Sequence, residues 1–413
     1  MHDHAVPTLA CLSLVATVAA AQTPPRAEKI PHTTTIHGVT LTDEYFWLRQ
    51  RNDPVLGPKV MEHLKAERAY CDEAMAHTSE RQQTLNDEMV ARLQQTDMSV
   101  PHRKGKWSYY TRNVEGKPYK IYCRKPLPDG EEQVILDANK AAEGQRNFRV
   151  GGMEISPDGR VAAIAIDLNG AEKYELRFRD LAANADLSYT IPETAGELAW
   201  AGDSRTVFYT TLDPMMRPYR VYRHSIGSDP STDTLVYEEK DDQFFVSIAT
   251  TRSERFVLIE LQSRDTSEWR YIPAIAPRTP PTMIEPREKG HEYKVEHHDN
   301  RFLILTNDGA KNFRLVEAPI EAPGRETWRE IRAGRSDVLM ERVIAFKNHF
   351  VLAYRQNAMP HLSITAFKGV TKEIETAEPS YVLFPEMNEE YDTPTFRYSY
   401  TSPITPSSVY DIH

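Results

Sequence analysis

Residues 156–166 read Ser156-Pro157-Asp158-Gly159-Arg160-Val161-Ala162-Ala163-Ile164-Ala165-Ile166. The Pro-Asp-Gly sequence is a strong turn signal, because each of the three residues favours a conformation that turns require. The apolar, β-branched run that follows it is typical of a strand. The stretch therefore predicts a tight turn that leads into a β-strand.

This arrangement recurs along the chain at intervals of 44 to 54 residues. The turn residues are Gly105, Gly159, Asp203, Glu254, Asn300 and Asn348. The β-rich runs are Trp107–Tyr110, Val161–Ile166, Val207–Thr210, Phe256–Glu260, Phe302–Thr306, Phe350–Tyr354 and a seventh, Phe396–Tyr400. A partner strand follows each run: Tyr119–Arg124, Glu175–Arg179, Arg220–Arg223, Trp269–Pro273, Phe313–Glu317, Leu362–Ala366 and Ser408–Asp411.

Paired strands with a period of about 40–50 residues are typical of a β-propeller. One four-stranded blade cannot bury both of its faces, whereas a ring of blades buries each against its neighbours. Seven repeats predict an all-β fold with a seven-bladed β-propeller over residues 99–413. A β-sandwich array is the alternative, and it is disfavoured because sandwiches lack so even a period.

The segment before the repeats has helical periodicity. Between residues 54 and 95 apolar residues such as Met61, Leu64, Leu85 and Met89 recur every three to five positions. The sequence His77-Thr78-Ser79 predicts a break between two helices. We therefore assign residues 22–98 to a short helical N-terminal segment.

The N-terminus has the pattern of a secretory signal peptide. A 13-residue, mostly apolar run from Leu9 to Ala21 ends in small residues, and it is too short to span a bilayer. We predict a signal peptide over residues 1–21 and a periplasmic or secreted protein. Typical signal peptides begin with positively charged residues, and this leader contains no Lys or Arg. A misplaced start codon is the alternative. Cys71 and Cys123 then remain, either as one disulfide or as two free thiols.

Length and charge narrow the class of protein. The 413 residues suffice for about two or three domains. With 50 Lys plus Arg and 60 Asp plus Glu, the net charge is −10, which argues against a nucleic-acid partner. No membrane partner is expected either.

Motifs for catalysis are incomplete. A nucleophile elbow needs G-x-S-x-G, and Gly202-Asp203-Ser204-Arg205-Thr206 fails at its last position, so Ser204 is expected in a surface turn. A zinc-protease helix needs H-E-x-x-H, and Val295 stands where the second His after His291-Glu292 should be.

Other polar clusters have simple structural interpretations. His297-His298 is expected at a polar strand edge, Asp167-Leu168-Asn169-Gly170 in a hairpin turn and not a calcium loop, and Glu238–Asp242 in a solvated loop. The arginines between Arg325 and Arg335 are expected at the surface. We therefore predict no catalytic, cofactor-binding or metal-binding residue in this chain, and no cofactor.

Ten segments together resemble one known family. They are Asp43–Arg49, Leu64–Tyr70, Glu88–Arg92, Thr96–Pro101, Tyr119–Arg124, Glu132–Asp137, Ile155–Gly159, Arg217–Tyr219, Leu235–Asp241 and Tyr400–Pro403. In sequence and order they resemble the oligopeptidase B branch of the prolyl oligopeptidase family of serine peptidases. The resemblance runs from about Pro31 to the last residue.

The resemblance implies both an architecture and an activity. Family members have a seven-bladed propeller that covers an α/β-hydrolase domain carrying Ser, Asp and His, and oligopeptidase B cleaves short peptides after Arg or Lys. This sequence ends where that hydrolase domain would begin, so no catalytic residue is carried over. The N-terminal segment packs on the hydrolase domain in the family. An exposed apolar surface that includes Phe46, Trp47, Met61 and Leu64 is therefore expected here.

Three interpretations stay open at this point. The chain is the propeller portion of an exported peptidase and inactive alone, or a free-standing propeller that binds peptides or a partner protein. In the third, the hydrolase domain is a separate chain that docks on the N-terminal segment.

Overall fold

The computed structural model describes residues 23–413, so the predicted signal peptide lies outside the described residues. The chain divides into two compact units, one up to Gln94 (unit 1) and one from Gln95 to His413 (unit 2). The domain boundary that the sequence places between residues 98 and 99 stays a prediction.

Unit 1 contains a hairpin and two helices. Strands β1 (His32–Ile36) and β2 (Val39–Asp43) pair antiparallel, and helices α1 (Leu56–Met75) and α2 (Ser79–Ala91) follow. The Asp53 carboxylate accepts hydrogen bonds of 2.8 Å from the N–H groups of Val55 and Leu56 at the start of α1. A short 3-10 turn separates the helices. The helices predicted between residues 54 and 95 and the break between them are therefore confirmed, whereas the hairpin of β1 and β2 was not predicted.

The apolar residues exposed on unit 1 are only in part those that the sequence predicts. Trp47 is buried, with its indole N–H donating to the carbonyl of Glu28 at 2.8 Å and the Lys59 ammonium over its ring. Leu64 is exposed as predicted. Further exposed apolar side chains lie along both helices: Met75, Leu85, Met89 and Val90.

Unit 2 is built from antiparallel strands in six sheets, each made of consecutive strands. Sheet 1 contains β3 (His102–Lys104), β4 (Trp107–Arg112), β5 (Ile121–Pro126) and β6 (Gln133–Asp137), followed by the four-residue helix α3 (Ala138–Ala141). The long sheet contains β7 (Arg149–Ile155), β8 (Val161–Asp167), β9 (Tyr174–Asp180), β10 (Ala185–Trp200), β11 (Thr206–Leu212), β12 (Pro218–Ser225) and β13 (Thr234–Glu238).

The other four sheets follow in chain order. Sheet 3 contains β14 (Phe245–Thr250), β15 (Phe256–Gln262), β16 (Ser267–Pro273) and β17 (Thr282–Glu285). Sheet 4 contains β18 (Tyr293–His298), β19 (Arg301–Thr306), β20 (Arg314–Pro319) and β21 (Arg329–Arg332). Sheet 5 contains β22 (Val338–Ala345), β23 (His349–Gln356), β24 (Met359–Ala366) and β25 (Thr371–Glu373). Sheet 6 contains β26 (Val382–Pro385), β27 (Phe396–Thr401) and β28 (Ser408–Ile412).

All seven strand pairs predicted from the repeat form. They are the antiparallel pairs β4–β5, β8–β9, β11–β12, β15–β16, β19–β20, β23–β24 and β27–β28. The all-β propeller fold is therefore confirmed.

The predicted count of seven separate blades is wrong. Hydrogen bonding gives five separate blades, sheets 1, 3, 4, 5 and 6, together with the seven-stranded long sheet. The cause is β10, which pairs with β9 through its first part and with β11 through its last part. Thr194 pairs with both neighbours, and the positive φ of Gly196, 94°, lies at this change of partner. One continuous strand thus joins two repeats into one sheet.

Alternate residues of one strand pack into different cores. In β19, Phe302 and Ile304 contact the core shared with sheet 3, whereas Leu303 and Leu305 contact the core shared with sheet 5. A strand with both faces buried has apolar residues at every position, since successive side chains point to opposite faces. This burial explains the uninterrupted apolar runs of the sequence repeat.

Five apolar cores of this kind join successive layers of unit 2. They lie between sheet 1 and the long sheet, between the long sheet and sheet 3, and then between sheets 3 and 4, 4 and 5, and 5 and 6. A sixth core lies within the long sheet, between β8–β9 and β10–β11.

The ring closes differently between sheets 6 and 1. The Arg397 guanidinium donates to the Pro101 carbonyl at 2.6 Å, and the Glu390 carboxylate accepts from the Gly105 N–H at 2.7 Å. The Lys104 ammonium lies 3.3 Å from the Glu389 carboxylate. We call this junction the seam. Among the described residues no strand is shared across it, and side-chain contacts hold it closed.

Substitution in a shared core tests the importance of double-sided burial. Phe302 is 0% exposed, whereas Phe384 on β26 is 53% exposed. Phe302→Ala should lower the free energy of unfolding by about 3–5 kcal/mol, because it leaves a cavity between sheets 3 and 4. Phe384→Ala, the matched control, should change it by less than about 1 kcal/mol. Denaturant unfolding followed by circular dichroism measures both, and equal midpoints for the two variants would contradict this account.

Candidate functional site

We call the strand that opens each sheet a first strand, and β10 is counted as one because it opens the second repeat of the long sheet. These first strands lie at the centre of unit 2. Strand β14 packs against β10, and β18 packs against β22. The Glu197 carboxylate on β10 accepts a 3.0 Å hydrogen bond from the Ser247 hydroxyl and a 3.1 Å bond from the Ile248 N–H on β14. Charged residues also occur on β7, β18 and β22, namely Glu154, Glu296 and Arg342. The centre of the propeller is therefore lined by ionisable side chains.

A cavity of about 470 Å³ opens where several first strands turn into the second. The turns of residues 104–107, 156–159, 252–254 and 389–391 line it. Gly105, Gly159 and Glu254, which mark the sequence repeat, lie in this lining. Gly159 has a φ of 74°, and an added Cβ would lie 3.3 Å from the indole nitrogen of Trp107. The turn residues that reveal the fold therefore also shape this opening.

A second cavity, of about 560 Å³, lies along the seam, and we call it the seam cavity. Its walls come from sheet 1, from β7 and from sheet 6. Most of the lining is apolar or aromatic: Val100, Tyr109, Tyr110, Tyr122, Cys123, Ile135, Val150, Met153, Ile155, Met387 and Val409. This size and lining are typical of ligand pockets, which have volumes of about 300–1,000 Å³.

The cations in the seam-cavity lining have anionic partners. Lys104 pairs with Glu389 at 3.3 Å, and Arg397 makes bonds of 2.7 and 2.8 Å to the two carboxylate oxygens of Asp411. Burial lowers the pKa of His102 below its ordinary value, which favours the neutral ring near pH 7.

Two carboxylates of the lining, Glu154 and Glu386, have no ion-pair partner among residues 23–413. Glu154 lines the cavity, where protein atoms surround its carboxyl group although part of the side chain is accessible to solvent. This enclosure raises the pKa of Glu154 to about 7, against the opposing attraction of Lys104 and with a further contribution from Glu389. Glu154 is thus a carboxyl group that changes charge near neutral pH.

Arg252 is a second ionisable group near the centre that makes no ion pair within the described part of the chain. Its guanidinium lies 5.3 Å from the Phe346 ring centroid, and its Nε atom is buried without a hydrogen-bond partner. Burial lowers the pKa of Arg252 from its ordinary value, while Glu296 opposes that shift. The pKa of Glu296 is raised by its own burial.

The adjacent histidines do not form the predicted polar edge. His297 and His298 are buried, at 1% and 7% exposure. His297 Nδ1 lies 2.7 Å from the Ser253 hydroxyl, and His298 Nε2 lies 3.0 Å from the Lys347 carbonyl. The prediction is wrong because β18 is a first strand, packed between sheets on both sides. Burial also lowers the pKa of His297, to about 4.

The acidic run from Glu238 to Asp242 is only partly solvated. Glu239 is 5% exposed, and its carboxylate accepts a 2.5 Å hydrogen bond from the Arg287 guanidinium. Arg287 also binds Glu268 on β16 at 3.1 Å. The prediction of a solvated loop is wrong for Glu239, because the run crosses from the long sheet to sheet 3 and pairs with an arginine from that side.

The other predicted turns form as expected. The Asp167 carboxylate accepts hydrogen bonds of 2.9 Å from the N–H groups of Asn169, Gly170 and Glu172, which closes the hairpin between β8 and β9. The Ser204 hydroxyl accepts a 3.0 Å bond from the Asp158 N–H in a neighbouring turn. Ser204 and Asp167 therefore have structural roles in turns.

A buried His–Asp pair is not evident from the sequence. His224 Nδ1 lies 2.7 Å from Asp233, and His224 Nε2 lies 2.9 Å from the Tyr189 hydroxyl. The Tyr209 hydroxyl donates to the other Asp233 oxygen at 2.9 Å. The side chain of His224 is 0% exposed, so no substrate reaches it, and the group supports the long sheet. Its members are up to 44 positions apart, which hides the arrangement in the sequence.

The two cysteines of the described residues form no disulfide. Cys71 is an exposed free thiol, and Cys123 is a buried one. Over residues 23–413, no group of three or more His, Cys, Asp or Glu side chains has a geometry that could hold a metal ion. No helix in that range is long and apolar enough to cross a membrane.

Comparison with known proteins gives one consistent family. Residues 24–413 match the family described as "Prolyl oligopeptidase, N-terminal beta-propeller domain". The chain is 37% identical to dipeptidyl aminopeptidase BI from Pseudoxanthomonas mexicana, over 97% of this chain and 58% of that protein. It is 30% identical to Protease 2 from Moraxella lacunata, over 94% of this chain and 56% of that protein.

Comparison with solved structures leads to the same family as comparison of sequences. The oligopeptidase B structure from Leishmania major superimposes with a TM-score of 0.89 at 29% identity, over 95% of this chain and 59% of that one. The chain thus spans somewhat more than half the length of the relatives it matches.

Removal of the Arg397 side chain tests the seam contacts. Arg397→Ala should lower the free energy of unfolding by about 2–4 kcal/mol, because Asp411 and the Pro101 carbonyl lose a partly buried partner. Arg335 forms a similar pair with Asp337, but both side chains are about half exposed. Arg335→Ala should therefore cost less than about 1 kcal/mol. Thermal unfolding compares the two variants, and an equal or larger loss for Arg335→Ala would refute the assignment.

The raised pKa of Glu154 predicts a pH-dependent stability. The folded chain holds this proton up to about pH 7, whereas an unfolded chain releases it near the ordinary glutamate pKa. Ionisation therefore destabilises the fold increasingly as the pH rises from about 4.5 to 7. Glu154→Gln should raise the melting temperature at pH 8 and change it little at pH 4.5. The exposed Glu375 is the control position, and Glu375→Gln should have no such pH-dependent effect.

Proposed function

Because the chain belongs to the prolyl oligopeptidase family, we propose that it is the propeller portion of an oligopeptidase B-like serine peptidase. The observation that carries this proposal is the match of residues 24–413 to the propeller domain, together with coverage of only 58% of dipeptidyl aminopeptidase BI. The Ser, Asp and His of the family then belong to an α/β-hydrolase domain outside this sequence. The substrates proposed are short peptides, cut after Arg or Lys.

The propeller would restrict substrate size. The cavities at the strand turns and at the seam are about 470 and 560 Å³, which is room for a few side chains of a flexible peptide and too little for a folded domain. Ionisable groups such as Glu154 and Arg252 give the centre a polar lining that an extended backbone can contact. A folded protein would thus be kept from the nucleophile.

The chemistry belongs to the hydrolase domain. In such a peptidase a serine hydroxyl attacks the scissile carbonyl, a histidine removes its proton, and backbone N–H groups stabilise the oxyanion. We assign none of these roles to a residue of this chain. The 413-residue chain by itself should therefore hydrolyse no peptide.

An activity comparison tests this assignment. The purified 413-residue chain should not react with a fluorophosphonate serine probe and should not cleave fluorogenic Arg or Lys peptides. A longer gene product that continues into a hydrolase domain should do both. Turnover by the 413-residue chain, in a preparation free of contaminating peptidase, would refute the proposal. So would a longer product that cleaves after other residues only.

A second candidate comes from the relative named dipeptidyl aminopeptidase BI, since its 37% identity exceeds the 30% identity of Protease 2. An enzyme of that kind releases dipeptides and needs a free amino terminus. Acetylation of the substrate's amino terminus separates the two candidates. An oligopeptidase B-like enzyme cleaves the blocked peptide, and a dipeptidyl aminopeptidase does not.

The remaining alternatives concern the form of the protein in the cell. A propeller that stands alone would bind peptides or a partner, and a separately encoded hydrolase domain would copurify with it. An immunoblot against the propeller distinguishes these cases. A band well above 47.3 kDa indicates a hydrolase domain in the same chain. A band slightly below that mass indicates a propeller that has lost its leader.

We also propose export to the periplasm or the medium, on the basis of the small-residue pattern at Ala19-Ala20-Ala21. Cell fractionation and N-terminal sequencing of the mature protein test this proposal. A mature chain that begins at Gln22 supports it, and a cytoplasmic protein that keeps Met1 contradicts it.

A further inference from the structure

The seam cavity has more negative than positive charge available to a ligand. Its two cations, Lys104 and Arg397, are paired with Glu389 and Asp411. Its carboxylates Glu154 and Glu386 have no such partner within residues 23–413. A ligand that enters this space therefore meets two carboxylates that have no ion-pair partner, although Lys104 attracts Glu154 and Arg397 attracts Glu386.

The remaining walls suit an organic cation. The ring of Tyr122 lines the cavity, and aromatic faces attract cations. The ring of Tyr109 also lines it, with one face stacked on His102 at a centroid distance of 5.7 Å. The apolar side chains of Met153 and Met387 can pack along the aliphatic part of a long basic side chain. Inorganic cations, by contrast, need several converging oxygen ligands, and no such group is found among the described residues.

We propose that the seam cavity binds a cationic side chain of a peptide, with Glu154 and Glu386 as its anionic partners and the tyrosine rings as its walls. This inference rests on the proposed function in one respect, because it takes a peptide as the ligand. It adds a binding position inside the propeller, separate from the hydrolase domain in which the bond would be cut.

Charge at Glu154 makes this site sensitive to pH. The titratable side chains that line the cavity with Glu154 are His102 and Lys104 from β3, Tyr109, Tyr110, Tyr122 and Cys123 from β4 and β5, and Glu386, Glu389 and Arg397 from sheet 6. Burial raises the pKa values of Tyr110, Tyr122 and Cys123, so these groups stay neutral near pH 7. Lys104 and Arg397 stay charged near pH 7, and His102 stays neutral because burial lowers its pKa. Glu154, with a pKa of about 7, is the group whose charge changes. Affinity for a cation should therefore rise roughly tenfold between pH 6 and pH 8.

The test uses the 413-residue chain and small probes whose amino and carboxyl termini are blocked and uncharged. Isothermal titration calorimetry measures their binding. The probes are N-acetyl-arginine amide, N-acetyl-lysine amide and N-acetyl-citrulline amide, which has nearly the shape of the arginine probe without its charge. At pH 8 the arginine and lysine probes should bind at least tenfold more tightly than the citrulline probe. The arginine probe should weaken roughly tenfold at pH 6.

Matched variants locate the site. Glu154→Gln should weaken binding of the arginine probe at pH 8 and remove the difference between pH 6 and pH 8. Glu386→Gln should weaken binding but keep that difference. Glu375→Gln, on an exposed position outside the cavity, should leave both unchanged. Circular dichroism and the melting temperature verify that each variant is folded.

The outcomes separate this inference from the proposed function. Equal binding of arginine and citrulline probes, no binding of either, or unchanged binding in folded Glu154→Gln would overturn the cation site. None of these results bears on whether a longer product hydrolyses peptides. Conversely, a longer product without peptidase activity would refute the proposed function and leave a measured cation site in place.

Discussion

Second strands such as β15, β19 and β23 carry apolar side chains on both faces, and such a strand is stable only when a sheet covers each face. Phe302 and Leu303 illustrate the constraint, since these neighbours enter two different cores. The need to cover both faces leads from one sheet to the next and finally to a ring. The central position of the first strands, and hence the polar lining of the centre, follows from that arrangement.

At the seam, apolar packing covers the faces of the sheets least completely. A small buried apolar group of sheet 1 consists of Tyr110, Ile121 and Cys123 with Val134 packed against it, and none of these residues belongs to sheet 6. Ion pairs and hydrogen bonds take the place of a shared core there. Imperfect packing leaves the seam cavity, and Lys104, Glu389 and Arg397 of this junction line it. The site best suited to a ligand therefore lies at the junction with the least apolar contact.

The sequence predicts the strand pairs of unit 2 well, because turns and apolar runs are local signals. It does not predict the count of sheets, which depends on whether β10 breaks near Thr194 or continues. The burial of Glu239 and His297 is also hidden, since Arg287 and Ser253 lie 48 and 44 positions away. The seam cavity joins residues from the two ends of unit 2, and only the closed ring brings His102 and Arg397 together.

The continuity of β10 has a mechanical consequence. Separate sheets can slide or tilt against each other by repacking side chains, whereas the two repeats joined by β10 share a backbone and its ladder of hydrogen bonds. The long sheet is therefore the stiffest arc of the ring, and it carries both Glu154 and Glu197. Any widening or narrowing of the centre is therefore taken up at the junctions between separate sheets, which include those of the long sheet with sheets 1 and 3.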